Sequence, residues 1–146
     1  MSLDLLTENT LYKKNISLFK SRFLELYGML ENRLGKIPEN LEILDCKADK
    51  SKKTAKYNGQ FLHSAYNPEK EAESLIKNCK QENQIGAIFL SCGLGYAPVE
   101  YSKAFPTDTI FIIEPDIEYF FAFLKYIDLE ELFSHKKLVI ALKIDF

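Results

Sequence analysis

The stretch FLSCGLGYAPVEY, residues 89–101, decides the fold: an apolar run ends in a glycine-containing turn and a short helical pattern follows. Gly93 and Gly95 carry no side chain, so the backbone can turn tightly there and approach another group closely. Two interpretations follow. Either the turn binds a phosphate or a nucleotide at the start of the next helix, or it is a structural corner between a buried strand and its helix.

Strand and helix patterns alternate in the last 60 or so residues that surround this turn. Apolar runs at residues 85–92, 109–116 and 136–144 predict three strands, and the first is apolar enough for a strand buried on both faces. Residues 97–105 and 117–133 predict the helices between them. The β-α-β-α-β order indicates an α/β fold with a parallel sheet, equivalent to a Rossmann-like half of a doubly wound sheet.

An N-terminal helix is predicted ahead of this unit. Its apolar stripe recurs at spacings of three and four residues and consists of Tyr12, Ile16, Phe19, Phe23, Leu26 and Leu30. Asn9 or Thr10 is the expected N-cap, and Gly35 and Pro38 end the segment. We interpret the stripe as a cover for the domain's own core, with docking of a partner as the alternative.

A small β-hairpin-like element should follow the helix, because residues 41–62 read as two short strands around a lysine-rich loop. Asn67 and Pro68 then predict the N-cap and first position of another helix. The predicted organisation is therefore a helical segment over residues 1–38 and a Rossmann-like α/β domain with its hairpin-like lead-in over residues 39–146. Because a doubly wound sheet has further strands, we expect the chain to be a fragment of a longer protein.

Composition argues against several classes of function. The formal net charge is −2, which does not favour nucleic-acid binding. The N-terminus does not resemble a signal peptide, and no apolar run is long enough to span a bilayer, so we expect a cytoplasmic protein with no membrane contact. Cys46, Cys79 and Cys92 form neither a C-x-x-C pair nor a cluster with histidine, so no metal site is expected.

An acidic residue follows the glycine turn at the spacing found in nucleotide-binding α/β units. Glu114 ends the second predicted strand, 19 residues beyond Gly95, where nucleotide-binding α/β units place an acceptor for ribose hydroxyls. The candidate binding residues are Gly93, Gly95, Tyr96, Glu114, His63 and Tyr66. No catalytic residue is predicted, because the chain contains no H-E-x-x-H, G-x-S-x-G or P-loop motif.

Two cofactor patterns match this turn incompletely. The dinucleotide pattern G-x-G-x-x-G needs a small residue at position 98, which is Pro98. The pattern of S-adenosylmethionine-dependent methyltransferases fits Gly93, Gly95 and Ala97, but Ser91 replaces its leading acid. A ligand-binding turn and a structural corner therefore both stay open.

Three segments in this order resemble the motility-associated factor glycosyltransferase family: LHSAYNPEKEA (62–72), FLSCGLGY (89–96) and IFIIEPDIEYFFAFL (110–124), the last followed by DLEELF (128–133). These bacterial proteins modify flagellin with nonulosonic, sialic-acid-like sugars before export. The resemblance covers about residues 55–140 and falls on the family's N-terminal domain, outside the central domain regarded as the transferase.

The resemblance implies an accessory domain that is inactive alone. Its partners would be flagellin or the rest of its own longer polypeptide, with a homo-oligomer through the N-terminal helix as a further expectation. The alternatives are an S-adenosylmethionine- or nucleotide-binding domain and a protein-interaction module. No cofactor is required, and a nucleotide or nucleotide-sugar is the candidate ligand.

Overall fold

The computed structural model describes residues 3–79 and 81–144, with side chains from residue 9 onward. The helices are α1 (Leu3–Arg22), α2 (Leu24–Leu30), α3 (Pro68–Asn78), α4 (Tyr96–Ala104), α5 (Ile117–Phe123) and α6 (Glu130–Phe133), with a 3₁₀ turn at Glu31–Arg33. The strands are β1 (Leu41–Asp45), β2 (Lys53–Tyr57), β3 (Gln60–Phe61), β4 (Gly86–Leu90), β5 (Thr109–Glu114) and β6 (Leu138–Leu142). None of the helices in the described part combines the length and apolarity needed to cross a bilayer.

Strands β4, β5 and β6 form a parallel sheet in that order. Ile88 lies beside Phe111 in the register, and Phe111 lies beside Val139. Helix α4 connects β4 to β5, and α5 with α6 connects β5 to β6. The structure thus confirms the β-α-β-α-β parallel sheet, the preceding helix and the hairpin-like element predicted from the sequence.

In the part of the chain that the structure describes, helices cover one face of the parallel sheet, and the prediction that β4 is buried on both faces is wrong. Ile110 and Ile112 of β5 are fully buried against the helices. On the opposite face, Ile88 and Leu90 of β4 are 69% and 71% exposed. The apolar run that suggested two buried faces therefore leaves one apolar face open.

Helix α1 packs against the same core as the sheet. Phe19 is fully buried and meets the ring of Phe120 edge-on, with 5.2 Å between the ring centroids. The apolar stripe thus covers the domain's own core, although two details differ from the prediction. The helix begins by Leu3 rather than at an Asn9 or Thr10 cap, and it breaks at Phe23, where φ is −130° and the ring packs towards Phe133.

The single late helix predicted over residues 117–133 is also wrong, since α5 ends at Phe123 and α6 begins at Glu130. Asn15 of α1, which is fully buried, supplies the reason. Its amide donates to the carbonyl oxygens of Leu124 and Ile127, and its side-chain oxygen accepts from the N–H of Leu129. These bonds replace the helical ones, so the chain can leave the helix without orphaned backbone groups.

The hairpin-like element is a small antiparallel sheet in the order β1-β2-β3. Helix α3 follows it and begins as predicted: Asn67 accepts a hydrogen bond from the N–H of Lys70 at 3.0 Å, and Pro68 occupies the first turn. A second apolar cluster joins this small sheet to α3, α5 and the glycine turn through Leu41, Ala55, Ala72, Leu94, Tyr96 and Ala122. The antiparallel sheet thus packs beside the carboxyl ends of β4 and β5.

Candidate functional site

A cleft of about 980 Å³ opens at the carboxyl ends of β4 and β5. Ile88 and Leu90 form part of its floor, and the first turns of α4 and α5 border one side. Helix α3 and the segment that leaves β3 also line it. The carboxyl edge of a parallel sheet is where α/β proteins bind ligands, and this volume suits a small organic molecule.

The glycine turn borders the cleft and is held from within the protein. Nε2 of His63 accepts the N–H of Leu94 at 3.0 Å. Gly93 has φ of +56°, and a Cβ added to it would lie 2.5 Å from this Nε2. Gly95 has φ of +103°, and its Cβ would lie 2.7 Å from the ring of Phe123. Contacts inside the fold therefore account for both glycines.

His63 is an uncharged acceptor in this arrangement. Burial lowers the pKa of its imidazole below 6.5, although the nearby Glu71 carboxylate acts in the opposite direction. Because Nε2 accepts a hydrogen bond, it is unprotonated, and the ring proton lies on Nδ1. The ring also meets that of Tyr96 edge-on at 5.3 Å between centroids.

Tyr96 connects the start of α4 to the small antiparallel sheet. Its hydroxyl donates to the carbonyl oxygen of Lys53 in β2, and the side chain is almost fully buried. Burial raises the pKa of this hydroxyl well above its usual value of 10. Tyr96 is therefore a protonated structural donor at neutral pH.

Glu114 ends β5 and is only 4% exposed. One carboxylate oxygen accepts the hydroxyl of Ser91 at 2.6 Å, and the other accepts the N–H of Asp116 at 3.0 Å. Burial raises the pKa of this carboxyl, while the two hydrogen bonds work against the rise. Ser91, which stands where the methyltransferase pattern has an acid, adopts φ of +57° at this junction.

Cys92 lies between the strand and the turn but is not activated. Burial raises the pKa of its thiol strongly, and the negative charge of Glu114 raises it further. Nucleophilic cysteines need the opposite shift, because the thiolate is the reactive form. Cys92 is therefore an inert thiol at neutral pH.

The structure brings most of the predicted site residues together. Gly93, Tyr96, Glu114 and His63 line the cleft, whereas Gly95 lies buried inside the turn. Tyr66 does not line the cleft, and its side chain is exposed. Its backbone is fixed instead, since its N–H donates to Ser64 and its carbonyl accepts from Ala48.

No sequence pattern predicted the aromatic pair at the cleft. Tyr57 at the end of β2 and Tyr119 in α5 meet edge-on with 5.8 Å between their ring centroids, and both line the cleft. Burial raises the pKa of Tyr119 to about 12, so its hydroxyl stays protonated. The two residues are 62 positions apart, and no motif connects them.

The lining of the cleft is acidic. Glu71 of α3, Glu114 and Asp116 all contribute to it. Among the lining residues within the described ranges 3–79 and 81–144, there is no lysine or arginine to balance them. With His63 uncharged, the electrostatic potential in the cleft favours cations and opposes anions.

Three other glutamates, two on α3 and one on α4, approach one another outside the lining of the cleft. The carboxylates of Glu69, Glu73 and Glu100 lie within 4.8 Å of one another, a spacing that could hold a cation. Ion pairs already balance two of them, since Lys52 contacts Glu69 and Lys103 contacts Glu100. These contacts explain the cluster without a metal.

Comparison with known proteins gives one relative to report. A protein of Treponema pallidum (strain Nichols) named "Uncharacterized protein" is 35% identical over 136 residues, an alignment that covers 88% of this chain and 46% of the relative. The chain thus spans about half the length of that relative. No family model matches the chain, and no solved structure matches it.

Proposed function

We propose that this chain is the N-terminal accessory domain of a flagellin glycosyltransferase of the motility-associated factor family, and that it is not itself catalytic. The three sequence segments that resemble this family all surround the cleft or its supporting core. A cytoplasmic location belongs to the same proposal, because flagellin of this kind is modified before export.

One observation supports the non-catalytic role: His63 already occupies the glycine turn. Its Nε2 accepts the hydrogen bond from the Leu94 N–H, a donor that a bound phosphate would need, and its ring fills the space above Gly93. Pro98 adds a position in the first turn of α4 that has no N–H to donate. The turn has the form of a Rossmann-like corner, but the N–H groups of Leu94 and Gly95 already have partners inside the fold.

The cleft offers little chemistry of its own. His63 is uncharged and engaged, and Cys92 is a protonated thiol. Glu114 already accepts two hydrogen bonds, one on each oxygen. A glycosyl transfer that needs a positioned general base would therefore use residues elsewhere in a larger protein.

The open face of the parallel sheet agrees with an accessory domain in a longer polypeptide. Parallel sheets are normally covered on both faces, and here the apolar side chains of Ile88, Leu90 and Phe111 are left exposed. The Treponema pallidum relative is about twice the length of this chain, so a further segment is a suitable cover.

The experiment measures the intact mass of flagellin in the source bacterium after chromosomal changes to this chain. Deleting residues 3–142 should remove the sugar mass from flagellin, because the accessory domain is required. Glu114→Gln should keep most of it, because the residue is not catalytic. Unchanged flagellin after the deletion would overturn the proposal, as would complete loss of sugar in a folded Glu114→Gln protein.

A second candidate is a domain that binds S-adenosylmethionine or a nucleotide. The position of Glu114 at the end of β5, beside a cleft of about 980 Å³, is the observation that favours it. A third candidate, docking of flagellin through the N-terminal helix, has less exposed surface to use. Phe19 is buried in the core, so a docking face there would use exposed residues such as Leu24 and Met29.

A further inference from the structure

We infer that the acidic cleft binds a phosphate-free nucleoside that carries a positive charge. The inference goes beyond the proposed accessory function, which needs no ligand, and narrows the second candidate function to a phosphate-free, cationic ligand. Four features of the described residues carry it: the charge of the lining, the hydroxyl acceptor at β5, the apolar floor with its two tyrosines, and the closed glycine turn.

The charge of the lining selects against phosphate. Glu71, Glu114 and Asp116 face the cleft, and no lysine or arginine joins them among the described lining residues. A ligand phosphate would be repelled by these carboxylates and would find no cation to offset its charge. A sulfonium or ammonium group would instead be attracted.

Glu114 supplies an acceptor for hydroxyl groups. A carboxylate has about four lone-pair positions, and Ser91 with the N–H of Asp116 uses two of them. Two positions remain on the carboxylate, which lines the cleft although the residue is only 4% exposed. An acid at the end of the second strand of such a unit is well placed to accept from the paired hydroxyls of a ribose.

The floor and one wall suit a flat ring. Ile88 and Leu90 present exposed aliphatic surface to the cleft, and Leu75 of α3 adds more. Tyr57 and Tyr119 place two aromatic rings beside them. Aromatic rings stack on planar bases and also attract cations through their faces, so the pair serves both parts of a cationic nucleoside.

The hydrogen bonds inside the turn occupy part of the usual phosphate site. A nucleotide would place its phosphates on N–H groups of the glycine turn and of the start of α4. Here the N–H of Leu94 is bonded to His63, and the N–H of Gly95 is bonded to the carbonyl of Cys92. The site is thus suited to the nucleoside part of a ligand and not to its phosphates.

Two matched ligand pairs test the inference by isothermal titration of the purified chain. S-adenosylmethionine and S-adenosylhomocysteine differ by one methyl group and the sulfonium charge, and adenosine and AMP differ by one phosphate. We expect S-adenosylmethionine to bind more tightly than S-adenosylhomocysteine, and adenosine to bind more tightly than AMP. Glu71→Gln should lower the affinity for S-adenosylmethionine about 3- to 10-fold, because one carboxylate charge is lost.

Glu73→Gln is the control, since Glu73 lies on the same helix but outside the cleft lining. It should leave the affinity unchanged. The inference is wrong if AMP binds as tightly as adenosine, or if S-adenosylmethionine binds no more tightly than S-adenosylhomocysteine. It is also wrong if none of the four ligands binds at about 5 mM, a concentration at which a site of millimolar affinity would be detected. The flagellin measurement is independent of all these outcomes, so either proposal can fail alone.

Discussion

At the scale of single residues, Gly93 and His63 act as one unit. The glycine leaves room for the imidazole, and the imidazole holds the next amide of the turn. Sequence reasoning identified both positions as candidates but could not pair them, because 31 residues separate His63 from Leu94. The position of Glu114 was predictable, because the end of a second parallel strand is a fixed place in such a fold. The hydrogen bond that Glu114 accepts from Ser91 was not predictable from the sequence.

Gly93→Ala should destabilise the protein by about 2 kcal/mol or more, measured by urea unfolding. About 1 kcal/mol comes from the positive φ, and the rest from displacing His63 and its hydrogen bond. Gly59→Ala is the matched control, since Gly59 has φ of +79° but open space around it. This variant should lose only the about 1 kcal/mol that comes from the positive φ. Equal losses for the two variants would show that His63 does not occupy the space above Gly93.

The His63 ring should titrate below pH 6.5 when followed by NMR. Its folded-state pKa is lowered mainly by burial, so the unfolded chain takes up a proton at higher pH than the folded one. The contribution of His63 to the free energy of unfolding is therefore fully present above about pH 6.5 and is lost as the pH falls through the folded-state pKa.

His63→Gln tests the same point, because a glutamine oxygen can still accept the Leu94 amide but does not titrate. We expect this variant to lose part of the acid-induced destabilisation that the natural protein shows. A His63 ring that titrates at or above pH 6.5 would contradict the uncharged, buried acceptor described here.

At the scale of elements, local sequence signals predicted where most helices, strands and turns begin. The Asn67 cap with Pro68, the hairpin-like element and the three strands were all predicted, because their signals lie within a few residues of each element. The division between α5 and α6 was not predictable from residues 117–133 alone. Asn15, more than 100 positions earlier, supplies the hydrogen bonds that the linker needs.

Asn15→Ala should therefore destabilise the protein by about 2–4 kcal/mol in chemical unfolding, because one buried carbonyl, one part-buried carbonyl and one buried N–H would lose their partner. Ser17→Ala, on the exposed side of the same helix, should change stability by no more than about 0.5 kcal/mol. A small effect of Asn15→Ala would mean that the linker satisfies its backbone groups without α1.

At the scale of the whole molecule, the described helices pack on one face of the parallel sheet, whereas a complete α/β domain has helices on both faces. The apolar pattern of the strands predicted the sheet, since such runs are typical of parallel strands. It could not show which face is open, because side chains on both faces are apolar. Coverage depends on the path of the helices and not on the strands themselves.

Adjacent isoleucines of β5 test this one-sided coverage. Ile112 is fully buried, whereas Ile113 points to the open face and is 38% exposed. Ile112→Ala should cost about 3–4 kcal/mol in chemical unfolding, and Ile113→Ala about 1 kcal/mol. Equal losses in the isolated chain would show that the second face is covered in solution.

The central claim is that the glycine turn is a structural corner and not a phosphate site. An amide NMR titration with inorganic pyrophosphate tests it directly by following the N–H groups of Leu94, Tyr96 and Ala97. We predict no saturable shift at these three amides, because His63 holds the first and the acidic cleft repels the anion. Saturable shifts confined to these amides would contradict the claim and show that the turn binds phosphate.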